Sequence, residues 1–504
     1  MSNLSDLLPA GAGGKTADFT ANGAIASGKP VILESGGDVA QVTETTVSPS
    51  MPLGSVTQFE GGASQYYSVK ADPHNDDRWI ITWMDDVGTK KYLIKIITRS
   101  GTSFTQSPEI DAGLSGTNSS EPGVAWDKGT ADKILIVYNN SSNDGTAKVG
   151  TISGSAGSES ISFGSELTFT TKQMLSAHRS PLTVLCMDTS GNYFVSFTDG
   201  ASSSNAYGRI LQVSGTTVTA GGSDTSIATS VWDRAQRGAM HPTDTTKIIY
   251  GYFTTSTENI RELTVSGTTI TAGTSYSGGT IADGSIQVLP ISATKVVMGA
   301  RNSSSYPIYT IVTNSSGAFT WGTQNVATST AAYAVDSDNN LDGDSLTFIS
   351  VYARNTTPRY PYGITCTLNS GVSSITFATP IQLDSNENAQ YYLQVGQQSD
   401  NDGHFVAVYE PSTFDEGLFV LGKTGGSSTN LTATNFVGIA DAAISDNASG
   451  SIVLQGGVSE KLSSLTTGST YYVQSDGTFA TTAGSPSVEA GKALSATKLL
   501  IKGP

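Results

Sequence analysis

The chain has 504 residues, only 14% of them charged, and 55 glycines, a composition typical of many short strands joined by tight turns. Its net charge of −16 argues against binding to nucleic acid or to an anionic membrane surface. No run of about 18 apolar residues that could span a bilayer occurs. Residues 1–8 lack the basic and apolar regions of a signal peptide, so we expect synthesis in the cytoplasm without secretion.

The first segment, residues 1–59, is rich in glycine, alanine, serine and threonine. It contains a short strand pattern at residues 30–33 (PVIL). On its own, a segment of this composition would be flexible. We therefore predict a small β-rich segment that serves for anchoring or assembly.

Seven apolar segments with strand-like alternation follow. Their spacing is regular, at about 54 residues from one to the next, which points to a repeat fold. They occupy residues 78–83, 133–138, 192–197, 247–252, 295–300, 347–352 and 404–409.

Each repeat also carries a glycine-centred turn between two β-branched runs. Residues 213–221 (VSGTTVTAG) are nearly duplicated at residues 265–273 (VSGTTITAG). Glycine accepts positive φ without steric cost, so these are predicted tight hairpins. Four strands per repeat is the size of a propeller blade. The sequence thus predicts a seven-bladed β-propeller over residues 60–435. A parallel β-helix is disfavoured, because its rungs are shorter and lack repeated hairpins.

Residues 436–504 break the period again. Strand patterns occur at residues 451–454, 470–473 and 498–501, separated by glycine turns. We predict a small C-terminal β module.

The chain has two cysteines, Cys186 and Cys366, which lie 180 residues apart, each in an apolar strand pattern. We therefore expect two buried free thiols rather than a disulfide.

The sequence contains no recognisable catalytic or cofactor motif. None of the four histidines has a metal-type spacing, and no nucleophile elbow or phosphate loop occurs. Residues 314–321 (NSSGAFTW) come nearest to the Asp-box repeat of sialidases but lack its aspartate. We therefore predict no catalytic residues, no cofactor and no enzymatic activity. A glycosidase-like propeller enzyme remains an alternative.

A weak calcium candidate lies at residues 336–344. Asp336, Asp338 and Asn340 offer oxygen ligands at alternating positions, as in the first half of an EF-hand loop. Leu341 occupies the position where that loop needs glycine, and no glutamate follows at the twelfth. The competing interpretation is an acidic surface turn.

The predicted loops divide between two faces. Turns between the first and second strands, and between the third and fourth, are rich in aspartate. The opposite loops are rich in serine, asparagine and tyrosine, a chemistry that suits recognition surfaces and sugars. The candidate partner or glycan contacts are Tyr207, Tyr306, Tyr360 and Tyr362, against the alternative of ordinary solvated loops.

The two ends carry a family resemblance. Residues 8–15 (LPAGAGGK) with Asp18 and Phe19, and residues 465–474 (LTTGSTYYVQ) with 491–502 (GKALSATKLLIK), resemble the ends of tail-fibre-like virion proteins of marine bacteriophages, of the cyanophage type. The repeat at residues 161–164 (ISFG) is similar to repeats between those ends. The resemblance covers nearly the whole chain, and its end motifs are the specific part.

The resemblance implies a structural component of a phage virion. We expect a tail-fibre or spike appendage on the particle surface, in contact with other virion proteins, homo-oligomeric, and attached to a host glycan or protein. One alternative is a capsid or tail decoration protein without receptor binding. The other is the carbohydrate-active propeller enzyme.

Overall fold

The computed structural model describes residues 15–62, 64–85, 90–115, 122–175, 182–200, 204–231, 235–255, 257–281, 286–339, 346–369, 371–385, 389, 393–398, 403–411, 416–483 and 486–502. These residues form 45 strands, and no helix occurs among them. The predicted all-β fold is confirmed. In this part of the chain there is, accordingly, no helix of the length and apolarity needed to cross a membrane.

The chain divides into two compact units, residues 1–47 with 426–504 and residues 48–425. The first unit contains two five-stranded sheets and one two-stranded sheet. Its strands are β1 (Thr16–Thr20), β2 (Pro30–Leu33), β3 (Val39–Gln41), β4 (Glu44–Val47), β38 (Gly426–Thr429), β39 (Phe436–Ala440), β40 (Ser449–Leu454), β41 (Val458–Ser459), β42 (Thr470–Val473), β43 (Phe479–Ala480), β44 (Val488–Ser495) and β45 (Lys498–Ile501).

The two ends of the chain share a sheet, in the order β1-β40-β39-β2-β3. Thr16 pairs with Val453, and Val31 with Gly438. The ends were predicted as an N-terminal segment and a small C-terminal module that packs on the propeller, on the N-terminal segment or on another subunit. In the structure the two ends pair, because an edge strand from one end completes the hydrogen bonding of a strand from the other.

The second unit contains seven antiparallel sheets in its described residues, called sheets 1 to 7. Sheets 1 to 3 comprise β6 (Ser64–Ala71), β7 (Arg78–Asp85), β8 (Lys91–Ser100), β9 (Ser103–Gln106) and β10 (Ile110–Ser115); β11 (Gly123–Trp126), β12 (Lys133–Asn139), β13 (Gly145–Ser153), β14 (Ser160–Phe163) and β15 (Leu167–Thr170); and β16 (Met174–Leu175), β17 (Thr183–Cys186), β18 (Asn192–Asp199), β19 (Asn205–Ser214) and β20 (Thr217–Ala228).

Sheets 4 to 7 comprise β21 (Gln236–His241), β22 (Asp244–Thr254), β23 (Thr257–Ser266), β24 (Thr269–Ala272) and β25 (Tyr276–Thr280); β26 (Gln287–Ser292), β27 (Lys295–Arg301), β28 (Pro307–Ser315) and β29 (Ala318–Val326); β30 (Ala332–Asn339), β31 (Thr347–Arg354), β32 (Pro361–Leu368), β33 (Ile375–Phe377) and β34 (Ile381–Gln382); and β35 (Gln394–Gln397), β36 (His404–Tyr409), β37 (Gly417–Lys423) and β5 (Thr57–Glu60).

Each of the seven predicted apolar segments lies in the second long strand of a sheet, namely β7, β12, β18, β22, β27, β31 and β36. These strands are buried on both faces, and every residue of β36 is buried. Sheets stacked face to face bury both sides of their central strands, which then read as continuous apolar runs.

Strand β5 crosses the predicted domain boundary at residue 60. It precedes sheet 1 in the chain but pairs with β37, with Gln58 opposite Leu418. The boundary therefore moves to residues 47/48, and at the other end to 425/426. No local sequence pattern distinguishes this strand from the N-terminal segment, because its partner lies more than 350 residues away.

One strand of each sheet contacts its counterpart in the next. These inner strands are β6, β11, β17, β21, β26, β30 and β35, and β35 contacts β6 in turn. Backbone groups are bound between them. Gly238 N donates to Thr183 Oγ1 at 3.1 Å, and Val395 N donates to Asp336 Oδ2 at 2.8 Å.

The repeated glycine turns are hairpins, as predicted. Gly215 and Gly267 both have φ of 59°. Each lies inside the strand pair that closes its turn, Ser214 with Thr217 and Ser266 with Thr269.

Gly164, which ends the ISFG motif, marks a close approach between sheets 2 and 3. A Cβ at this position would lie 1.9 Å from the carbonyl oxygen of Thr216. Because that neighbour is backbone, the strand has to shift, and we expect Gly164→Ala to lower the free energy of unfolding by roughly 1–3 kcal/mol. Urea unfolding measures the change. Gly215→Ala is a comparison in which the penalty comes from positive φ and not from a clash, since nothing lies within 4 Å of that Cβ.

Candidate functional site

The predicted tyrosine contacts are distributed over three sheets. Tyr207 stacks on Phe197 with ring centroids 6.1 Å apart, and Tyr362 stacks on Tyr352 at 5.5 Å. A cation covers each ring, Lys172 at 4.2 Å from Tyr207 and Arg354 at 5.4 Å from Tyr362. These two rings are half-buried and already packed within their own sheets.

Tyr306 and Tyr360 are also half-buried. The backbone N–H of Tyr306 donates to Asn302 Oδ1 at 3.0 Å, and the carbonyl of Tyr360 accepts from Arg354 N at 3.3 Å. Their role as partner contacts stays a prediction.

The calcium candidates Asp336 and Asp338 lie on strand β30, and Asn340 lies outside the described residues. The expected acidic surface turn is wrong for Asp336, which is 1% exposed. Arg237 Nη1 donates to Asp336 Oδ1 at 2.6 Å, so this carboxylate has a cationic partner already. Within the described part of the chain, no group of three or more histidine, cysteine, aspartate or glutamate side chains could hold a metal ion.

A cavity of about 400 Å³, here called the inner-strand cavity, lies where the seven inner strands meet. Every inner strand contributes to its lining. Most of its wall is apolar, with Val124, Val184 and Leu289 among its residues. One residue from each inner strand shows the chemical range: Lys70, Trp126, Cys186, Arg237, Leu289, Asp338 and Gln397.

An ion pair spans three inner strands beside this cavity. Arg237 on β21 reaches past Gln287 on β26, with 2.7 Å between Nη1 and Oε1, to Asp336 on β30. Asp336 also accepts the backbone N–H of Val395 on β35. Its carboxylate is thus fully engaged, and the pair fixes the Arg237 guanidinium in the cavity lining.

Lys70 and Asp338 are the next charged pair. Both line the cavity and both are half-buried. Burial raises the pKa of Asp338, while the charges of Lys70 and Arg237 oppose that rise. The backbone N–H of Gln397 donates to Asp338 Oδ2 at 3.0 Å. Asp338 is therefore deep enough to lose most bulk solvation and still presents surface to the cavity.

Cys186 lies in the same wall, 5% exposed. Burial raises the pKa of its thiol, and the backbone N–H of Lys128 donates to Sγ at 3.3 Å. Cys366 is fully buried. Both cysteines are free thiols, as predicted.

The aspartate-rich turns have largely internal functions. Asp127 accepts the backbone N–H groups of Gly129 and Thr130, and Asp188 accepts that of Ser190, all at 2.8 Å. Short side chains of this kind cap their own turns. The aspartates of these turns are thus explained by the backbone hydrogen bonds that they accept.

No sequence pattern indicated that Lys70, Trp126, Arg237 and Asp338 line one cavity. Each lies in the inner strand of its sheet, seven to ten residues before an apolar segment. The repeat phase could have marked those strands as inner. It could not indicate which residues meet, because they belong to different repeats.

No family model and no curated protein matches the chain. Among solved structures it is similar to AofleA of Arthrobotrys oligospora, with 11% identity, 69% of this chain and 94% of that chain covered, and a TM-score of 0.42. It is also similar to the NanB sialidase of Streptococcus pneumoniae, with 10% identity, 74% of this chain and 70% of that chain covered, and a TM-score of 0.41. A putative 6-phosphogluconolactonase of Bacteroides fragilis is 9% identical, with 71% of this chain and 99% of that chain covered and a TM-score of 0.46.

The comparison with solved structures contradicts the predicted structural role in a phage virion: the neighbours named above include a sialidase and a putative lactonase, and none of them is a virion protein. The tail-fibre prediction is wrong on this comparison, and the decoration-protein alternative receives no support from it. The resemblance of the chain's ends, the localisation, the oligomeric state and the absence of enzymatic activity stay predictions.

Proposed function

We propose that this chain is a carbohydrate-binding protein that holds a small sugar in the inner-strand cavity. The observation that carries the proposal is the lining itself. Lys70 and Asp338, from two different sheets, present a cation and a carboxylate to one space whose remaining wall is mainly apolar. Ligand sites combine an apolar lining with a few convergent polar groups in this way.

Sheets 1 to 7 are, in this proposal, the blades of one closed seven-bladed propeller. Two features support it. The inner-strand contacts run from β6 to β35 and back to β6, and β5, from before sheet 1, completes sheet 7. Such closure leaves the cavity at the centre of the ring, where loops and strand ends of all blades converge.

The chemistry of the lining matches a sugar. A carboxylate such as Asp338 accepts hydrogen bonds from hydroxyl groups, and the ammonium of Lys70 donates to hydroxyl oxygens. Trp126 and the aliphatic wall suit the C–H face of a pyranose ring. The cavity volume of about 400 Å³ falls at the small end of ligand sites, which supports a mono- or disaccharide.

Isothermal titration calorimetry with the methyl glycosides of glucose, galactose, mannose, fucose and N-acetylglucosamine tests the proposal. We expect at least one to bind, and Asp338→Asn to weaken its affinity by about 10–100-fold, because a charged acceptor is lost. Asn keeps an oxygen that can accept the Gln397 N–H, so the fold is expected to persist.

Asp188→Asn is the matched control, since Asp188 lies in a neighbouring turn and not in the lining. It should leave the affinity unchanged. Equal weakening by both substitutions, or no binding by any of the glycosides, would refute a sugar site in this cavity. Mass spectrometry of the recovered sugar should show it unaltered. A released product would make the protein an enzyme instead of a binding protein.

A further inference from the structure

Arg78 lies directly behind the cavity wall without lining it. It is the first residue of β7, and its side chain is 13% exposed. Nε donates to Asp72 Oδ2 at 2.6 Å, and Nη2 lies 2.6 Å from Asp132 Oδ1 in the next sheet. The guanidinium therefore joins a carboxylate of sheet 1 to one in the first turn of sheet 2.

The same guanidinium covers the indole of Trp126, with Cζ 5.1 Å from the ring centroid. On its polar edge, Trp126 Nε1 donates to the carbonyl oxygen of Lys70 at 3.2 Å. Two contacts thus orient the indole. One comes from Arg78, and the other comes from the backbone of a residue that lines the cavity.

The backbone of Arg78 extends the connection to sheet 7. Its carbonyl oxygen accepts from Gln398 Nε2 at 2.7 Å and from Asp72 N at 2.9 Å. Asp72, Trp126 and Gln398 all line the cavity. Three lining residues from three sheets therefore depend on one residue outside the cavity.

We infer that Arg78 is a positioning residue that sets the orientation of Trp126 and Asp72 in the sugar-binding wall, and thereby the affinity of the cavity. The inference rests on the proposed function and adds a determinant to it. A planar guanidinium can bind a carboxylate through two nitrogens while stacking on an indole. Lysine supplies the charge without the plane, so Arg78→Lys isolates the geometric role.

Arg209→Lys is the matched control. Arg209 pairs with Asp224 at 2.9 Å, both side chains are 14% exposed, and neither lines the cavity. The two substitutions should lower the melting temperature by similar amounts. Only Arg78→Lys should weaken binding of the tightest methyl glycoside, by about tenfold.

A second readout needs no sugar. Iodoacetamide at pH 9 alkylates accessible thiols, and mass spectrometry separates Cys186 in the cavity wall from Cys366, which is fully buried and reports unfolding. If Arg78 holds the cavity wall, Arg78→Lys loosens that wall and makes Cys186 more accessible without unfolding the chain. We therefore expect Arg78→Lys to raise the ratio of Cys186 to Cys366 alkylation several-fold, and Arg209→Lys to leave this ratio unchanged.

The outcomes are separable. If no glycoside binds the parent chain, the proposed function fails, and the alkylation ratio alone decides whether Arg78 holds the wall. If glycosides bind but Arg78→Lys and Arg209→Lys give the same affinity and the same alkylation ratio, the inference is overturned. Arg78 then forms an ordinary structural ion pair that does not position the cavity wall.

Discussion

At pH 9 the variant Glu258→Gln is expected to unfold with a free energy roughly 3–5 kcal/mol above that of the parent chain. Glu258 on β23 is 1% exposed. Its Oε1 has no hydrogen-bond partner among the described residues. Burial alone raises the pKa of this carboxyl to about 8.

The direction follows from proton uptake. Between pH 4.5 and about 8 the folded chain keeps the Glu258 proton that the unfolded chain has already released. Stability therefore falls as pH rises through this window, and the loss is complete above the folded-state pKa. Glutamine imitates the protonated side chain at every pH, so the variant avoids the loss. Urea unfolding of both proteins at pH 5, 7 and 9 measures the difference.

Glu262→Gln is the control on the same strand. Glu262 is also buried, but its Oε1 lies 3.0 Å from Lys247 Nζ. Removing its charge breaks an ion pair, so this variant should be less stable than the parent at pH 9. A Glu258→Gln advantage that is the same at pH 5 as at pH 9 would show that Glu258 is not the titrating group.

Phe59→Ala is expected to lower the free energy of unfolding by about 3–5 kcal/mol. Phe59 lies on β5, the strand that completes sheet 7, and is 3% exposed. Its ring contacts Trp83 at 5.2 Å and Tyr67 at 5.5 Å between centroids, both edge to face. The ring also fills the space beside Gly417, where a Cβ would lie 2.5 Å from it. Loss of the ring should therefore detach β5 from β37.

Two measurements distinguish local from global loss for Phe59→Ala. Urea unfolding gives the total change, and amide hydrogen exchange should accelerate first in β5 and β37. Phe163→Ala on β14 provides a comparison, because Phe163 is only half-buried and contacts Lys148. It should cost about 1 kcal/mol. Similar costs for the two substitutions would mean that β5 contributes no more than an outer strand does.

The sequence by itself determined the strand content and the repeat. Segments such as residues 405–409 (FVAVY) are apolar throughout, because a central strand is covered on both faces by neighbouring sheets. The hairpins at Gly215 and Gly267 could also be predicted, because a turn closes between residues only a few positions apart. Features set by local geometry are accessible to pattern analysis.

Only the tertiary structure decided which residues form the cavity. Arg237 and Asp336 are 99 residues apart, and they meet because their strands, β21 and β30, both contact β26. The aspartates that suggested a calcium loop are strand residues, and one of them is already neutralised by an arginine. Tyr207 and Tyr362, chosen as recognition residues, are packed on their own sheets.

The pairing of distant segments likewise could not be predicted from the sequence. Strand β5 joins sheet 7 and β1 joins β40, in each case across several hundred residues. Strand partners are selected by whichever open edge the folded sheets present, and that edge exists only after the intervening chain has folded. The repeat was thus determined by local patterns. The cavity, in contrast, was determined by contacts between repeats, and the shared sheet of the ends by pairing between the N-terminal and C-terminal segments.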